Sequence, residues 1–335
     1  MTVDDCNFGS EPGIHIYAGF RGLRLEDELA SLIRDFRIGG IVLFRRNIES
    51  EDQVRRLIGD AQEYALKELG RPLLCAIDQE GGTVQRLSPP FERLPSAKEI
   101  APGGPALVSK WARKAAADMR SLGMHINFAP VLDVVSDPGH FMGSRSLGDN
   151  ADQVSRLGRA WIEALQESGI SATAKHFPGL GRSGLDPHTH APVIGWRNEA
   201  ESEEDLRPFY DAVSAGVHCI MTSHAIYPEA DPIYPATLSR ALCRDLLRAR
   251  MNFSGVLFAD DLDMAAVCGK FSFEETAVRG VQAGIDAFLI CQHPENVGPF
   301  YGALSDALEK DEELKRLQRE SIGRLRGLYR FHFGK

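Results

Sequence analysis

Short apolar runs alternate along this chain with longer segments of helical periodicity, and that alternation leaves few folds open. The runs cover residues 14–17, 40–44, 73–77, 126–128, 172–175, 219–222, 255–258 and 287–290. Between them, residues 26–36, 51–69, 105–122, 151–168, 202–215, 239–250 and 273–283 place apolar side chains at helical spacing. Ser50, Asn150 and Ser239 stand where N-caps belong, and Gly70, Gly123, Gly169 and Gly216 stand where helices stop. Parallel strands need a crossover helix between them, and eight such units close a sheet on itself. The pattern therefore predicts an α/β chain folded as a single (β/α)8 barrel of the TIM type over residues 1–335. An open doubly wound sheet is the competitor, but no GxGxxG follows the first strand. The basic closing segment, with Leu314, Leu317, Leu325 and Leu328 along one face, reads as the last barrel helix packing its leucines inward.

Composition narrows the partners. A formal charge of −9 over 335 residues argues against a nucleic-acid surface and gives no sign of a membrane-surface binder. The N-terminal residues MTVDDCNFGSEPGIHIY are acidic where a signal peptide is basic, and no apolar stretch reaches the roughly twenty residues of a spanning helix. A soluble, cytoplasmic monomer acting on a small hydrophilic substrate, with no cofactor and no metal, is the expectation. Cys75, Cys219 and Cys291 lie in strand-like runs and Cys243 and Cys268 in helical ones, without a CxxC pair, so buried free thiols are expected.

A barrel of this kind carries its chemistry just beyond the C-terminal ends of its strands. Charged residues gather there: Asp78, Glu80 and Arg86 after the third run, Asp133 and Arg145 after the fourth, Lys175 and His176 after the fifth. His224 follows the sixth run, and Asp260, Asp261 and Asp263 follow the seventh. Left unpaired, such groups are costly near a barrel mouth unless a polar ligand or one another satisfies them. The stretch AKHFPGLGRSGLDPHTHAP from Ala174 to Pro192 adds Asp186, His188 and His190 on a loop carrying Gly179, Gly181 and Gly184, a composition that suits closure over a ligand. Neighbouring carboxylates in an extended stretch point in opposite directions, so one aspartate of the pair 260–261 can face the barrel axis while backbone groups hold the other. A carboxylate facing the axis is a nucleophile candidate toward a sugar anomeric carbon. The proton-transfer partner is then a loop histidine, whose ordinary pKa near about 6.5 suits giving and retaking a proton, with Asp186 placed to fix the ring of His188.

The segments IDQEGGTVQRL, NFAPVLDV, GSRSLG, KHFPGLG followed by DPH, and GVLFADDLDM resemble, in order and spacing, the motifs of family 3 glycoside hydrolases, and in particular of that family's bacterial β-N-acetylglucosaminidases. The likeness runs from about Gly39 to Cys291. It implies a retaining double displacement with Asp260 as nucleophile and Asp186 with His188 as an acid/base dyad. Asp78, Arg86, Arg145, Lys175 and His176 become sugar contacts, and the substrate a terminal β-linked N-acetylglucosamine on a 1,6-anhydro-N-acetylmuramic acid wall fragment or a chito-oligosaccharide. The chain departs from the family pattern at Leu180, Pro187, Ser144, Ala259 and Asp263. It also ends too soon for the second domain that longer members carry.

Two readings compete. A metal-dependent amidohydrolase barrel also gathers histidines, a lysine and an aspartate, and His188 and His190 have the spacing of a metal pair. A non-catalytic sugar-binding barrel is the other. Within the enzyme class, transfer to phosphate instead of water is conceivable, because a histidine does not repel an anionic acceptor as a carboxylate does.

Overall fold

The computed structural model describes residues 8–87, 89, 91–137, 139–184 and 192–334. Eight parallel strands close into a barrel in sequential order: β1 (Ile16–Ala18), β2 (Gly40–Leu43), β3 (Leu74–Ile77), β4 (Ile126–Asn127), β5 (Ser171–Phe177), β6 (Cys219–Thr222), β7 (Val256–Asp261) and β8 (Ala287–Ile290), with β8 pairing back onto β1. Each strand leads to a helix on the outside. These are α1 (Asp27–Arg34), α2 (Glu51–Leu69), α3 (Gly104–Ser121), α4 (Ala151–Glu167), α5 (Glu199–Ser214), the π-helix α6 (Ala241–Arg250), α7 (Phe273–Ala283) and α8 (Val297–Lys310). The (β/α)8 barrel predicted from the apolar runs is the observed architecture. No helix among the described residues is long and apolar enough to cross a membrane.

Period-two alternation along the strands divides the core. Val42, Leu74, Ala76, Ala287 and Leu289 point into the lumen, while Ile41, Leu43, Cys75, Ile77, Phe288 and Ile290 pack outward against the helices. Ser50 and Asn150 cap as read, accepting the N–H of Gln53 and Gln153, while α6 is preceded by Arg240, with Ser239 one residue further back accepting the Leu242 N–H at 3.3 Å; Gly70, Gly123, Gly169 and Gly216 all take positive φ.

The last segment corrects the expectation. The eighth barrel helix is α8, and the basic amphipathic segment is a ninth, α9 (Glu312–Phe333), lying across the N-terminal mouth of the barrel. Ile322, Leu325, Leu328 and Tyr329 of α9 join the lumen cluster, the Tyr329 hydroxyl donates to the Gly39 carbonyl at 2.6 Å, and Arg324 pairs with Asp286, the residue before β8. Its apolar face does pack inward, Leu314 and Leu317 against the helical flank and Leu325 and Leu328 onto the floor of the barrel. Cys75, Cys219, Cys243 and Cys291 are buried thiols, whereas Cys268 is exposed in the loop after β7, not in a helix.

Candidate active site

The C-terminal mouth holds a cavity of about 570 Å³. Asp78, Arg86, Arg145, Lys175, His176 and Asp260 all line it, so every one of these residues singled out from sequence falls on a single cavity. Asp186, Pro187, His188 and His190 lie outside the described residues. Among the described residues, no group of three or more histidines, cysteines and carboxylates is placed to hold a metal ion.

The wall is built from three strand ends. After β3 the chain turns through Gly81 and Gly82 into a small hairpin (Gln79–Gly81 with Val84–Gln85); a side chain on Gly81, whose φ is +102°, would meet the Pro95 carbonyl at 2.2 Å. The Gln79 backbone N–H donates to Asn127 on β4, and the Gln79 side chain accepts the N–H of Arg86 and of Leu87, which ties the hairpin to the next strand. Asp78, Glu80 and Arg86 are thereby aimed at the cavity. From β5, the Lys175 ammonium reaches both Asp78 (2.8 Å) and Glu80 (2.7 Å). Arg145 clasps Glu80 through two bonds of 2.8 Å, and Arg86 meets the other oxygen of Asp78 at 3.1 Å.

Burial alone would push both carboxyls up, but the cations overcome it. Lys175 and Arg86 hold Asp78 well below the ordinary carboxylate range, and Lys175 with Arg145 lowers Glu80 to about 2. Lys175 stays charged, raised by the same two partners against its own desolvation. Two carboxylates facing three cations leave these five side chains with one net positive charge, in a site lined by donors suited to ligand hydroxyl or carbonyl oxygens.

Glu80 and Asp133 complete the wall although the site set read from sequence omits them. Asp133 is fully buried, and its two oxygens accept from His176 Nδ1 (2.8 Å), the Leu180 N–H (2.7 Å) and the His176 N–H (3.3 Å). That fixes the ring of His176 and the start of the β5 loop. The peptide joining Lys175 to His176 is cis, and both side chains line the cavity. Of the three loop glycines, Gly179 takes positive φ; Gly181 is required for another reason, since a Cβ there would lie 1.8 Å from the Val134 carbonyl; nothing crowds Gly184. The departing residue Leu180 is buried and lines the cavity.

Across from this wall, β7 presents Asp260 and Asp261. The Asp260 carboxylate accepts the Asp261 N–H at 2.8 Å, while the Asp261 carboxyl turns to the Cys291 N–H (3.0 Å) and the Asp263 N–H (3.2 Å). Asp263, another departure from the expected pattern, accepts from Gln292, His293 and Asn296 at 2.7–2.9 Å and so anchors the loop after β8. His224 does not enter the cavity wall: it is turned toward Thr237 (2.7 Å) and the Asp261 carbonyl (3.1 Å), and burial lowers its pKa.

Comparison with known proteins identifies the family of the barrel. Residues 13–326 match the model of the glycosyl hydrolase family 3 N terminal domain. A β-hexosaminidase of Alkalilimnicola ehrlichii is 35% identical over 287 residues, covering 83% of this chain and 81% of the relative. A family 3 β-N-acetylglucosaminidase from Paenibacillus superposes with a TM-score of 0.92 at 35% identity, over 97% of this chain but 62% of its own, so the chain spans less than two thirds of that protein. NagZ of Neisseria gonorrhoeae, solved with N-trifluoroacetyl-D-glucosamine, superposes with a TM-score of 0.77 at 28% identity over 93% of this chain and 98% of its own. With the family model matched across nearly all of the barrel and a curated relative above 30% identity along most of both chains, the chain belongs to glycosyl hydrolase family 3.

Proposed function

We propose that this protein is a retaining exo-β-N-acetylglucosaminidase that removes terminal β-linked N-acetylglucosamine, with peptidoglycan-derived 1,6-anhydro-N-acetylmuramic acid fragments as the substrate class. Asp260 is the nucleophile, His188 the general acid and then base, and Asp186 the carboxylate that orients it. Asp78, Arg86, Arg145, Lys175 and His176 hold the sugar.

One contrast carries the reading. Asp78 and Glu80 are committed to cations and Asp133 to His176, whereas the bond made to the Asp260 carboxylate among the described residues is a single backbone N–H, and this carboxylate faces the cavity. A carboxylate so lightly held keeps its nucleophilicity. In the first step an Asp260 oxygen attacks the anomeric carbon as the bond to the aglycone oxygen breaks and His188 delivers its proton to that oxygen. In the second, the neutral ring takes a proton from water, the water oxygen attacks the anomeric carbon, and Asp260 departs. The β-hexosaminidase relatives and the N-trifluoroacetyl-D-glucosamine complex of the Neisseria protein support a hexosamine as the sugar.

The test is turnover of an aryl β-N-acetylglucosaminide together with trapping by a donor slowed with fluorine on ring carbon 5. Mass mapping should place the trapped sugar on Asp260, and Asp260→Ala should lower turnover by about 10³–10⁵-fold. Unchanged turnover in that variant, or a label on another residue, would remove the assignment. Product analysis with and without inorganic phosphate decides between hydrolysis and phosphorolysis, and side-by-side rates on anhydro-muropeptide and chitobiose rank the aglycones.

A further inference from the structure

The second aspartate of the β7 pair has a role that its neighbour's does not explain. Three carboxyl groups, on Asp260, Asp261 and Asp263, fall within four residues at the mouth. They are provided for unequally. Asp263 collects donors on both oxygens, from the N–H groups of Gln292 and His293 and from the Asn296 amide. For Asp261, both N–H donors, from Cys291 and Asp263, converge on Oδ1.

The groups facing Asp261 do little to neutralise a charge there. Its own segment contributes Asp260 and Asp263, both repulsive. β8 contributes the buried Cys291 thiol, itself pushed up by burial and by the surrounding carboxylates. From the turn after β2 comes Arg46, half-buried, whose guanidinium is committed to the Phe20 and Cys291 carbonyls at 2.9 and 2.5 Å. From the end of β6, His224 touches the Asp261 main-chain carbonyl at 3.1 Å. A third negative charge in this setting is unfavourable: the two N–H groups on Oδ1 favour ionisation, but burial and the neighbouring carboxylates outweigh them, and Oδ2, which neither donor reaches, can carry the proton.

We propose that Asp261, held as the neutral acid at physiological pH, is a positioning residue for the reaction of Asp260: its carbonyl oxygen laces the end of β7 to the end of β8 and its own N–H fixes the Asp260 carboxylate, leaving Asp260 the reactive charge at that rim. Burial and the neighbouring Asp263 carboxylate raise its pKa to about 8, which agrees with the bonding pattern. Raising the pH through that region ionises Asp261, and its repulsion of Asp260 and Asp263 loosens the tie.

This inference rests on Asp260 being the nucleophile, and the experiment separates the two ideas. An aryl β-N-acetylglucosaminide with a leaving group such as 2,4-dinitrophenolate departs without protonation, so kcat/KM escapes the titration of an acid/base histidine. The expected result is an alkaline fall in wild-type kcat/KM near pH 8 that disappears in Asp261→Asn, which mimics the neutral acid and keeps activity within about threefold below pH 7. Asp261→Ala, which cannot reach Cys291, loses about 100-fold in kcat with little change in KM. An Asp261→Asn variant as impaired as Asp261→Ala, or an alkaline limb persisting in Asp261→Asn, would overturn the proposal. A readout independent of turnover is the infrared band of a protonated carboxyl at pH 7: it should vanish in Asp261→Asn, and its persistence there counts against the proposal even if the protein acts on another sugar. Absence of wild-type turnover on any aryl N-acetylglucosaminide would instead remove the functional reading.

Discussion

Replacing Lys175 with methionine removes the charge at the centre of the cavity wall while keeping the side chain's length. One charge-assisted hydrogen bond, at 2.8 Å to Asp78 and contributing about 1.5–3 kcal/mol, disappears together with an ion pair at 2.7 Å to Glu80. Breaking a buried ion pair by removing one partner costs about 3–5 kcal/mol. The lower end applies here because Arg86 still meets Asp78 and Arg145 still clasps Glu80, so two carboxylates remain balanced by two guanidinium groups. Loss of about 3 kcal/mol corresponds to a fall in Tm of about 4 °C, taking about 2.1 cal/mol/K of unfolding entropy per residue. The pH dependence supplies the sharper check. Both carboxyls have folded pKa values below their unfolded ones, Glu80 at about 2, so the stability they contribute is present above the ordinary carboxylate range and is lost as pH falls through the folded values. Denaturant unfolding of wild type and Lys175→Met from pH 7 to pH 2.5 should therefore show a difference that is full at pH 7 and shrinks below about pH 4. A difference that stays constant across that range, or one under about 1 kcal/mol at pH 7, would refute the assignment of Lys175 as the charge that keeps Asp78 and Glu80 ionised.

Other expectations follow from the same physics at other sites. Because the fold raises the Asp261 pKa to about 8, the unfolded chain gives up that proton first, so wild-type stability falls from about pH 4 to pH 8; Asp261→Asn should be progressively the more stable protein across that window, by at most about 5 kcal/mol at its top, and parallel curves would count against it. His125, His218 and His332 cluster at the floor of the barrel, with Ser171 bridging His218 and His332 at 2.9 and 2.8 Å, and burial lowers them to about 4, about 4 and about 2. The unfolded chain takes up these protons first, so stability should drop as pH falls below about 6.5, and His332→Phe should reduce that slope between pH 6.5 and 4 by about 1.4 kcal/mol per pH unit, read from urea midpoints. Tyr329→Phe removes the 2.6 Å bond to the Gly39 carbonyl, which keeps the Leu74 N–H at 3.1 Å, and should lower stability by about 1 kcal/mol in urea titration with kcat/KM unchanged.

Strand positions were legible because lumen and outer faces are both apolar, so each buried strand is a short run that stops where the chain reaches solvent. β6 and β8 coincide with their apolar runs, and most of the rest differ by one or two residues. β5 extends past its apolar run to Phe177, which still pairs with Thr222 of β6 after a register shift at His176, a polar residue read as loop. Helix α8, VGPFYGALSDALEK, escaped notice because two glycines and Pro299 dilute its periodicity, although a proline in the first turn needs no N–H partner there. The basic stripe of α9 revealed an apolar face but not the surface it covers, and only tertiary packing sends it to the barrel floor. Glu80 and Asp133 stood in plain view as acidic residues after β3 and β4. What sequence could not express is distance: that Glu80 meets Lys175 and Arg145, and Asp133 meets His176, depends on which strand ends lie side by side.

The placement of β8 explains why the two mouths of the barrel can serve different ends. Before the strand, Asp286 is fully buried between Arg248 and Arg324 and also accepts the Leu257 N–H, pinning the N-terminal side of β7 and β8 together. After the strand, Asp261 and Asp263 accept the N–H groups of Cys291, Gln292 and His293, pinning the other side. Between these ties the lumen is apolar and aromatic, with Phe258 of β7 edge-to-face on Tyr17 and Phe128 at ring separations of 5.0 and 5.4 Å. An apolar layer of this kind transmits packing strain, so the ion pairs at the floor help hold the strands whose far ends carry the cavity residues. Asp260 therefore gets its position from ties on its own rim and faces the Lys175 wall across the cavity, and the floor beneath can be sealed by α9 with no group of that helix entering the cavity wall.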